Sequence, residues 1–385
     1  MKLTPFITPI DLVLPVAAGT RLLHIGPHKT GTTSLQRSIS ANREALLQQG
    51  VYCGAPAGQR SSNRAARALL RRPFEDPDRI VDIQEWEELV ARVRASTTPL
   101  SVISGEEFSF CDTKEIQTIL KSFGRERVHV AVTVRPLAKV LPSQWQLDLG
   151  RSTSSSFNEW LEWILRPRGA RRIAQMLEIP HPFWFRHRHD QLAKRWADEI
   201  GADKVSVVVA DDQRHRDLLF AFERLLGLTE QSLTTVSDQS NSSLSEQEIA
   251  IILRLHQLLE ERALMFATAF RSQKLKRRLL KVRARLNTDQ KMSLPAWAVP
   301  NVRALSEQIY DGLTSSGIRI IGDPALLLQV PESSEALSIN HEATEGLAQQ
   351  LLSDLERDGK LRSENATPLL GKALHRILRR VKRLR

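Results

Sequence analysis

The segment of residues 21–36 constrains the fold more than any other part of the chain. A short apolar run is followed by a loop that Gly26 and Gly31 enclose, and helical spacing of apolar residues begins after the loop. This order predicts a strand, a tight loop and a helix, which direct backbone N–H groups and the positive end of the helix toward one point. The segment therefore predicts a phosphate-binding loop. In the helix, the side chains expected to face a core are Leu35, Ile39, Leu46 and Leu47.

The position of the lysine separates two kinds of phosphate loop. In nucleoside triphosphatases the pattern is G-x-x-x-x-G-K-[ST], with lysine directly after the second glycine. Here Thr32 stands in that position and Lys29 lies inside the loop. A triphosphate loop with a displaced lysine and a plain Gly-Thr turn are two alternatives. The loop resembles the 5′-phosphosulfate loop of the sulfotransferases that use 3′-phosphoadenosine 5′-phosphosulfate (PAPS), in particular their bacterial branch, in Lys29, Thr30, Gly31, Thr32, Thr33 and Ser34.

A basic residue also follows a second predicted strand. Residues 128–134 form an apolar run that predicts a buried strand, and Arg135 comes directly after it. Ligands of open α/β sheets bind at the carboxyl ends of the strands, where an arginine fork suits a phosphate. Ser143 stands eight residues later, in the next predicted helix. The sulfotransferase resemblance implies that Arg135 and Ser143 bind the donor's 3′-phosphate; an arginine that caps a helix or pairs with an acid is the alternative.

Two glutamates follow a third predicted strand, residues 99–104. Sulfuryl transfer to a hydroxyl needs a base that removes the acceptor's proton, and a cation near the leaving oxygen balances the charge that develops there. Lys29 suits the role of the cation. We favour Glu106 as the base and place Glu107 second, with His28 beside Lys29 as the main rival. Solvated glutamates at a helix start are the alternative without a function.

Neither the histidines nor the cysteines predict a metal site. The chain has two cysteines, which imply neither a disulfide framework nor a cysteine-rich zinc site. His24 lies in an apolar strand and is expected to be a core histidine with satisfied polar atoms. One cluster offers metal-ligand side chains, but its mixed spacing fits no standard zinc pattern. Its members are His181, His187, His189 and Asp190.

Strands that alternate with helices up to about residue 230 predict βαβ units and a mostly parallel sheet. We expect an α/β, three-layer fold of the P-loop type with a helical C-terminal extension. The strand before Asp211 and Asp212 is expected to be the last of the sheet, although an apolar strand ending in Asp also holds magnesium in triphosphatases. The expected organisation is an irregular lead-in at 1–20, an α/β domain at 21–330 that is helical from about 241, and a C-terminal helix and basic tail at 331–385.

The composition is that of a soluble protein large enough for a sizeable core. The chain has 385 residues, of which 41% are hydrophobic. No apolar run approaches the roughly 20 residues that cross a bilayer, and Asp11 with two prolines interrupts the nearest candidate, residues 6–19. No cleavable signal peptide is expected. A cytoplasmic protein is therefore the expectation.

The net charge of +11 lies in two short segments. Residues 271–285 hold eight Lys or Arg and residues 371–385 hold seven, with no acidic residue in either. Because the remainder of the chain is slightly acidic, a nucleic-acid surface is not expected. Such segments attract phosphates, acidic glycans or anionic lipid. For the 371–385 tail, peripheral contact with the inner membrane surface, binding of a partner and disorder are all open.

The resemblance implies a PAPS-dependent sulfotransferase that moves a sulfuryl group to a hydroxyl or amine, with a carbohydrate or glycolipid as the expected acceptor and no need for a metal. The chain lacks the Arg-Lys-Gly-x-x-Gly segment of the animal cytosolic sulfotransferases, which leaves the adenine-binding residues open. Two other functions remain alternatives. One is a nucleoside-triphosphate-dependent kinase with Asp211 on magnesium. The other is a non-enzymatic anion- or lipid-binding protein that works through the two basic segments.

Overall fold

A computed structural model describes the chain in nine stretches, which divide into two compact units. The first unit is made of Met1–Gln144, Trp160–Asp238 and Ser293–Ser334, and the second of Trp145–Glu159, Gln239–Met292 and Glu335–Arg385. Both basic segments lie outside the described residues. The residues that the structure describes are 6–73, 80–149, 155–165, 182–234, 244–262, 264–266, 292–331, 341–359 and 361–363.

The first unit is built around a seven-stranded sheet in which every neighbouring pair of strands is parallel. The described strands of both units are β1 (Ile7–Thr8), β2 (Arg21–His24), β3 (Val51–Cys53), β4 (Leu100–Ser104), β5 (Val128–Val134), β6 (Val205–Val209), β7 (Leu264–Phe266), β8 (Arg319–Ile321) and β9 (Leu361–Ser363). The order across the sheet is β1-β8-β6-β5-β2-β4-β3.

Helices connect the strands and flank the sheet. The described helices are α1 (Thr32–Ala41), α2 (Arg43–Gln48), α3 (Asn63–Leu69), α4 (Gln84–Ala95), α5 (Thr113–Phe123), α6 (Leu137–Leu149), α7 (Phe157–Leu165), α8 (Pro182–His187), α9 (His189–Ile200), α10 (His215–Leu226), α11 (Glu246–Glu261), α12 (Val299–Thr314) and α13 (His341–Arg357). Of these, α11 and α13 belong to the second unit, and α6 and α7 contribute residues to both units.

The central strands are buried on both faces. Every residue of β4, β5 and β6 is buried. Continuous runs rich in valine and isoleucine, without alternation, are typical of parallel strands that helices cover on both sides. The prediction of an α/β, three-layer fold with a central parallel sheet is confirmed.

The sheet extends further than the sequence predicts. β6, expected to be the last strand, has β8 as its neighbour, and β1 pairs with β8 at the edge. Part of the expected irregular lead-in is therefore a strand, because the amide of Ile320 donates to the carbonyl of Phe6 and the amide of Gly322 donates to that of Thr8. The two residues of β1 carry too short a pattern to be recognised in a sequence, whereas β8 lies within 317–322, which the sequence predicts as a short extended element.

Two helices differ from their predicted course. The first predicted helix breaks at Asn42 into α1 and α2, and the break changes the helical phase. Leu47 is 50% exposed, whereas the other three predicted core residues of this segment are buried. α6 covers the range of about 137–149 that the spacing predicts, and Pro142, expected to kink the helix or end its first turn, lies inside it. The sequence predicts the last helix at 346–356, whereas α13 begins at His341.

The direction of the chain across the sheet changes between β2 and β5. From β2 the chain continues to β3 on one side, whereas from β5, the neighbour of β2, it continues to β6 on the other side. Ligands of open α/β sheets bind outside the carboxyl ends of the strands at such a point. The loop of residues 25–31 follows β2, and Arg135 follows β5. The topology thus places both predicted phosphate anchors at one edge of the sheet.

The second unit contains a helix pair and a two-stranded ribbon. α11 packs against α13, and β7 pairs with β9 in antiparallel orientation. α11 begins with a capping box, in which the hydroxyl of Ser245 accepts from the amide of Glu248 and the carboxylate of Glu248 accepts from the amide of Ser245. Arg254 of α11 forms an ion pair with Glu345 of α13. Within the described ranges of the chain, no helix is both long and apolar enough to cross a membrane.

Candidate functional site

The predicted phosphate loop occupies residues 25–31, between β2 and α1. Lys29 and Gly31 both have positive φ, at 73° and 91°. This backbone region suits glycine but is uncommon for lysine, and such conformations concentrate at functional sites. Gly31 is the N-cap residue of α1 and provides no side-chain cap. The positive end of α1 therefore faces the loop without a neutralising side chain from its cap.

Gly26 is required at its position by the neighbouring strand. A Cβ atom on Gly26 would lie 1.7 Å from Oγ1 of Thr133 in β5 and 2.9 Å from Nε2 of His24. Such a contact with Thr133 is impossible without movement of the loop or the strand. Only glycine allows the loop to pass this close to the end of β5.

A chain of buried polar side chains lies beneath the loop. Oγ1 of Thr30 donates to the carbonyl of Pro27 at 2.8 Å and lies 3.0 Å from Oγ1 of Thr133. Nε2 of His24 lies 3.2 Å from the same Thr133 oxygen, and its Nδ1 lies 2.7 Å from Oγ of Ser104. Burial lowers the pKa of His24 to about 4, so the ring is neutral at pH 7. The predicted core histidine is thus satisfied and links the loop to both neighbouring strands.

Arg135 contacts the phosphate loop directly. Its Nη1 donates a hydrogen bond to the carbonyl oxygen of Lys29 at 3.3 Å. Its Nη2 lies 2.5 Å from Oδ2 of Asp212, which follows β6. The two groups predicted to bind opposite ends of the donor therefore lie at one site. Arg135 also has the acidic partner that the alternative interpretation expects.

Ser143, the other predicted ligand of the 3′-phosphate, is not brought into this network. It is partly exposed on α6, and no hydrogen bond joins its side chain to Arg135 or to the loop within the described ranges. Trp145, two residues further along the helix, is fully buried. Ser143 stays a prediction, while Trp145 is a packing residue.

The three candidates for the base form one cluster. Glu106 and Glu107 begin a short 3-10 helix after β4, and His28 lies against both. Nδ1 of His28 is 3.5 Å from Oε1 of Glu106, and Nε2 is 3.4 Å from Oε1 of Glu107. Gln36 of α1 donates to Oε2 of Glu106 at 2.5 Å. Arg67 of α3 forms an ion pair with Glu107 at 2.7 Å.

The two glutamates are not the solvated pair of the alternative interpretation, since their side chains are only 15% and 2% exposed. Burial alone would raise the pKa of Glu106, but contact with His28 outweighs it and holds this pKa well below its usual range. Burial likewise opposes ionisation of Glu107, yet His28 and Arg67 lower its pKa to about 2. Both carboxylates are therefore ionised at pH 7. Both ring nitrogens of His28 face these carboxylates.

In the candidate metal cluster, His187 and Asp190 have other partners, whereas neither ring nitrogen of the buried His189 has a hydrogen-bond partner among the described residues. Nε2 of His187 lies 3.1 Å from the carbonyl oxygen of His28, and its Nδ1 lies 3.0 Å from a carbonyl of its own helix. The carboxylate of Asp190 forms an ion pair with Arg188. His181 lies outside the described residues. Across the ranges that the structure describes, no group of three or more His, Cys, Asp or Glu that could hold a metal ion is found.

Sequence reasoning missed the residues that hold the predicted ones in place. Thr133 is a polar residue at the carboxyl end of a largely apolar strand, and this contrast is a usable signal. Basic, amide and acidic residues in helices and loops are common on any surface, so their contacts leave no trace in the sequence. The partners that were missed are Gln36, Arg67, Thr133, His187 and Asp212.

Comparison with known proteins gives limited information. No protein-family model matches the chain, and no curated protein matches it. Among solved structures, the chain is similar to a sulfotransferase from Alicyclobacillus acidocaldarius, with 15% sequence identity and a TM-score of 0.38. The similarity covers 63% of this chain and 92% of that chain. A likeness of this degree does not assign an activity.

Proposed function

We propose that the chain is a sulfotransferase that moves a sulfuryl group from PAPS to an acceptor. The observation that carries this proposal is the contact between the Arg135 guanidinium and the carbonyl of Lys29. It joins a loop suited to a 5′-phosphosulfate to a basic fork suited to a second phosphate, at the carboxyl ends of adjacent strands. A donor with phosphates at both ends of one ribose uses two such anchors, whereas a triphosphate does not need the second.

In this proposal each anchor has one role. Lys29 balances the negative charge that develops on the oxygen leaving with the nucleotide. Arg135 binds the 3′-phosphate, assisted by Ser143 from the following helix. The backbone amides and hydroxyls that bind the 5′-phosphosulfate belong to Thr30, Gly31, Thr32, Thr33 and Ser34.

Glu106 is the proposed base, because it is the more exposed of the two glutamates and Gln36 fixes one of its oxygens. The acceptor oxygen forms a bond to sulfur, and the bond between sulfur and the bridging phosphate oxygen breaks. 3′,5′-ADP leaves with that electron pair, and the acceptor's proton passes to the Glu106 carboxylate. A carboxylate with a lowered pKa is a weak base, so the proton moves only after the acceptor oxygen has begun to bond to sulfur. Glu107 and His28 hold Glu106 in position.

The proposed acceptor is a hydroxyl or amine of a carbohydrate or glycolipid. This part rests on the resemblance of the phosphate loop to that of the bacterial sulfotransferases. The proposed location is the cytoplasm, with the 371–385 tail contacting the inner membrane surface when the acceptor is a lipid. Neither a metal nor a nucleic acid has a role in the proposal. Transfer of radiolabelled sulfate from PAPS onto pools of glycans and lipids, separated by chromatography, identifies the acceptor class.

Calorimetry with 3′,5′-ADP tests the donor site. Wild type is expected to bind, and Lys29→Ala and Arg135→Ala are each expected to weaken binding by at least tenfold, because each removes a charge-assisted contact to phosphate. Lys194→Ala and Arg92→Ala, which remove the same charges from helix surfaces, serve as matched controls and should bind like wild type. Failure of wild type to bind 3′,5′-ADP would refute the proposal. Magnesium-dependent binding of ATP in its place would favour a kinase.

A further inference from the structure

The proposed 3′-phosphate anchor already holds an anion from the chain itself. Oδ2 of Asp212 lies 2.5 Å from Nη2 of Arg135, while Nη1 of the same guanidinium donates to the carbonyl of Lys29. The side chains of Arg135 and Asp212 are 24% and 34% exposed. A carboxylate therefore occupies part of the fork that would bind a phosphate, at a position that solvent and ligands reach.

The neighbouring aspartate does not share this position. Oδ1 of Asp211 accepts from the amide of Gln213 at 2.8 Å, and Oδ2 accepts from Nε of Arg214 at 3.0 Å. Asp211 is thus committed to its own turn. Of the two adjacent acids, it is Asp212 that crosses from the end of β6 to the residue that follows β5. The two positions carry the same charge but have different partners, which allows one to serve as a control for the other.

We propose that Asp212 is a specificity-determining residue of the donor site, which competes with the nucleotide's 3′-phosphate for Arg135. This inference rests on the proposed function, since it concerns the same site. A 3′-phosphate can bind the Arg135 guanidinium only when the Asp212 carboxylate leaves it. The displaced carboxylate then lies close to the phosphate, and the two negative charges repel each other. Asp212 thereby holds Arg135 in place when the site is empty and weakens the hold on 3′,5′-ADP, the product that must leave.

The inference predicts that Asp212 affects the binding of nucleotides with a 3′-phosphate and not of those without one. A nucleotide without a 3′-phosphate, such as 5′-AMP, leaves the Arg135–Asp212 pair intact and has nothing to displace. A nucleotide with a 3′-phosphate binds only to the state in which the pair is open, so its apparent affinity is reduced by the fraction of molecules in that state. Removal of the Asp212 charge should therefore affect 3′,5′-ADP alone.

Calorimetric titration of Asp212→Asn, Asp211→Asn and wild type with 3′,5′-ADP and with 5′-AMP tests the inference. Asp212→Asn is expected to bind 3′,5′-ADP about three- to tenfold more tightly than wild type, in line with the strength of partly exposed ion pairs and the removal of a like charge. Its affinity for 5′-AMP should not change. Asp211→Asn removes the same charge one residue away and should leave both affinities as in wild type. Asp212→Ser, with the same expectation, replaces Asp212→Asn should that variant not fold.

The possible results separate failure of the role of Asp212 from failure of the proposed function. If wild type binds 3′,5′-ADP and the affinity of Asp212→Asn is equal or lower, the role of Asp212 is overturned and the proposed function stands. Tighter binding by Asp211→Asn as well shows a general charge effect and also overturns it. Tighter binding of 3′,5′-ADP by Asp212→Asn, with Asp211→Asn equal to wild type and the affinity for 5′-AMP unchanged, supports the role of Asp212. Absence of binding by wild type and every variant overturns both the inference and the proposed function.

Discussion

At the scale of single residues, two adjacent glutamates of the same charge have different surroundings. Glu106 contacts His28 and Gln36 and keeps some exposure to solvent, whereas Glu107 is almost fully enclosed and pairs with Arg67. In the 3-10 helix they begin, successive side chains point about a third of a turn apart. One carboxylate is therefore available to an acceptor, and the other stabilises the cluster from within.

Substitution should separate these roles. Glu106→Gln removes the proposed base and is expected to lower the rate of sulfuryl transfer by about 100-fold or more, with little effect on 3′,5′-ADP binding. Glu107→Gln leaves Arg67 without its carboxylate in a largely buried place, and is expected to lower the free energy of unfolding by about 3 kcal/mol. Single-turnover transfer and urea unfolding measure the two effects. The assignment is wrong if Glu107→Gln loses the transfer rate at unchanged stability while Glu106→Gln remains active.

The site could be predicted from the sequence only where its residues are neighbours in the chain. The loop with Lys29 was recognisable because glycines, hydroxyls and a lysine lie within a few residues. Arg135 was recognisable because it ends a strongly apolar strand. The contact of Arg135 with Asp212 joins two strand ends that are distant in sequence, and the spacing of residues does not encode such a contact.

At the scale of elements, the predicted phosphate loop depends on the end of β5. Thr30 of the loop and His24 of β2 both contact the hydroxyl of Thr133, and the backbone of Gly26 passes close beside it. The loop is therefore shaped by the neighbouring strand as well as by its own glycines. A change at this contact should act on ligand binding without touching a residue that contacts the ligand.

Gly26→Ala tests this dependence. The added methyl group would overlap Oγ1 of Thr133, so the loop must move, and we expect a loss of about 1 to 3 kcal/mol in the free energy of unfolding together with weaker 3′,5′-ADP binding. Gly346→Ala is the matched control, because its Cβ would meet no atom within 4 Å in α13. It should raise stability by about 0.5 to 1 kcal/mol and leave binding unchanged. Normal binding by Gly26→Ala at unchanged stability would contradict this account of the loop.

The length and the apolar pattern of an element determine whether the sequence predicts it correctly. The apolar spacing predicts helices at 114–123 and 190–200, close to the limits of α5 and α9, because each has ten or more residues with a clear apolar face. The break between α1 and α2 at Asn42 was missed because asparagine is tolerated inside helices. β1 was missed because it offers only two residues of pattern. The extended element predicted at 317–322 contains β8, but its pattern does not show that it belongs to the sheet.

At the scale of the whole molecule, several histidines are buried in the first unit. His24 and His129 each lie beside a serine hydroxyl, and His189 is enclosed by α9 and its neighbours. Burial lowers the pKa of each of these three rings to about 4. The fold thus keeps them neutral at a pH at which they would be charged in the unfolded chain.

This difference makes the protein sensitive to acid. A free histidine has a pKa near 6.5, so between about pH 6.5 and 4 the unfolded chain binds protons that the folded chain does not, and stability falls as the pH is lowered. Each such ring removes about 1.4 kcal/mol per pH unit once the pH is below the unfolded pKa. Above pH 7 the effect is absent. Below pH 4.5 the lowered pKa of Glu107 acts in the same direction, because its carboxylate contributes stability only while ionised.

Urea unfolding at pH 7.5, 6.0 and 5.0 measures this loss, and the expected result is a steep decline between the last two values. His129→Asn is the informative variant, since His129 contacts Ser206 at the end of β5 opposite the phosphate loop. This variant should reduce the pH dependence of the free energy of unfolding by about 1.4 kcal/mol per pH unit, the contribution of one proton. Binding of 3′,5′-ADP at pH 7.5 should stay unchanged. Equal stability at pH 7.5 and 5.0 would mean that the buried rings are charged in the folded protein. It would contradict the neutral state of His24 in the hydrogen-bonded chain beneath the loop.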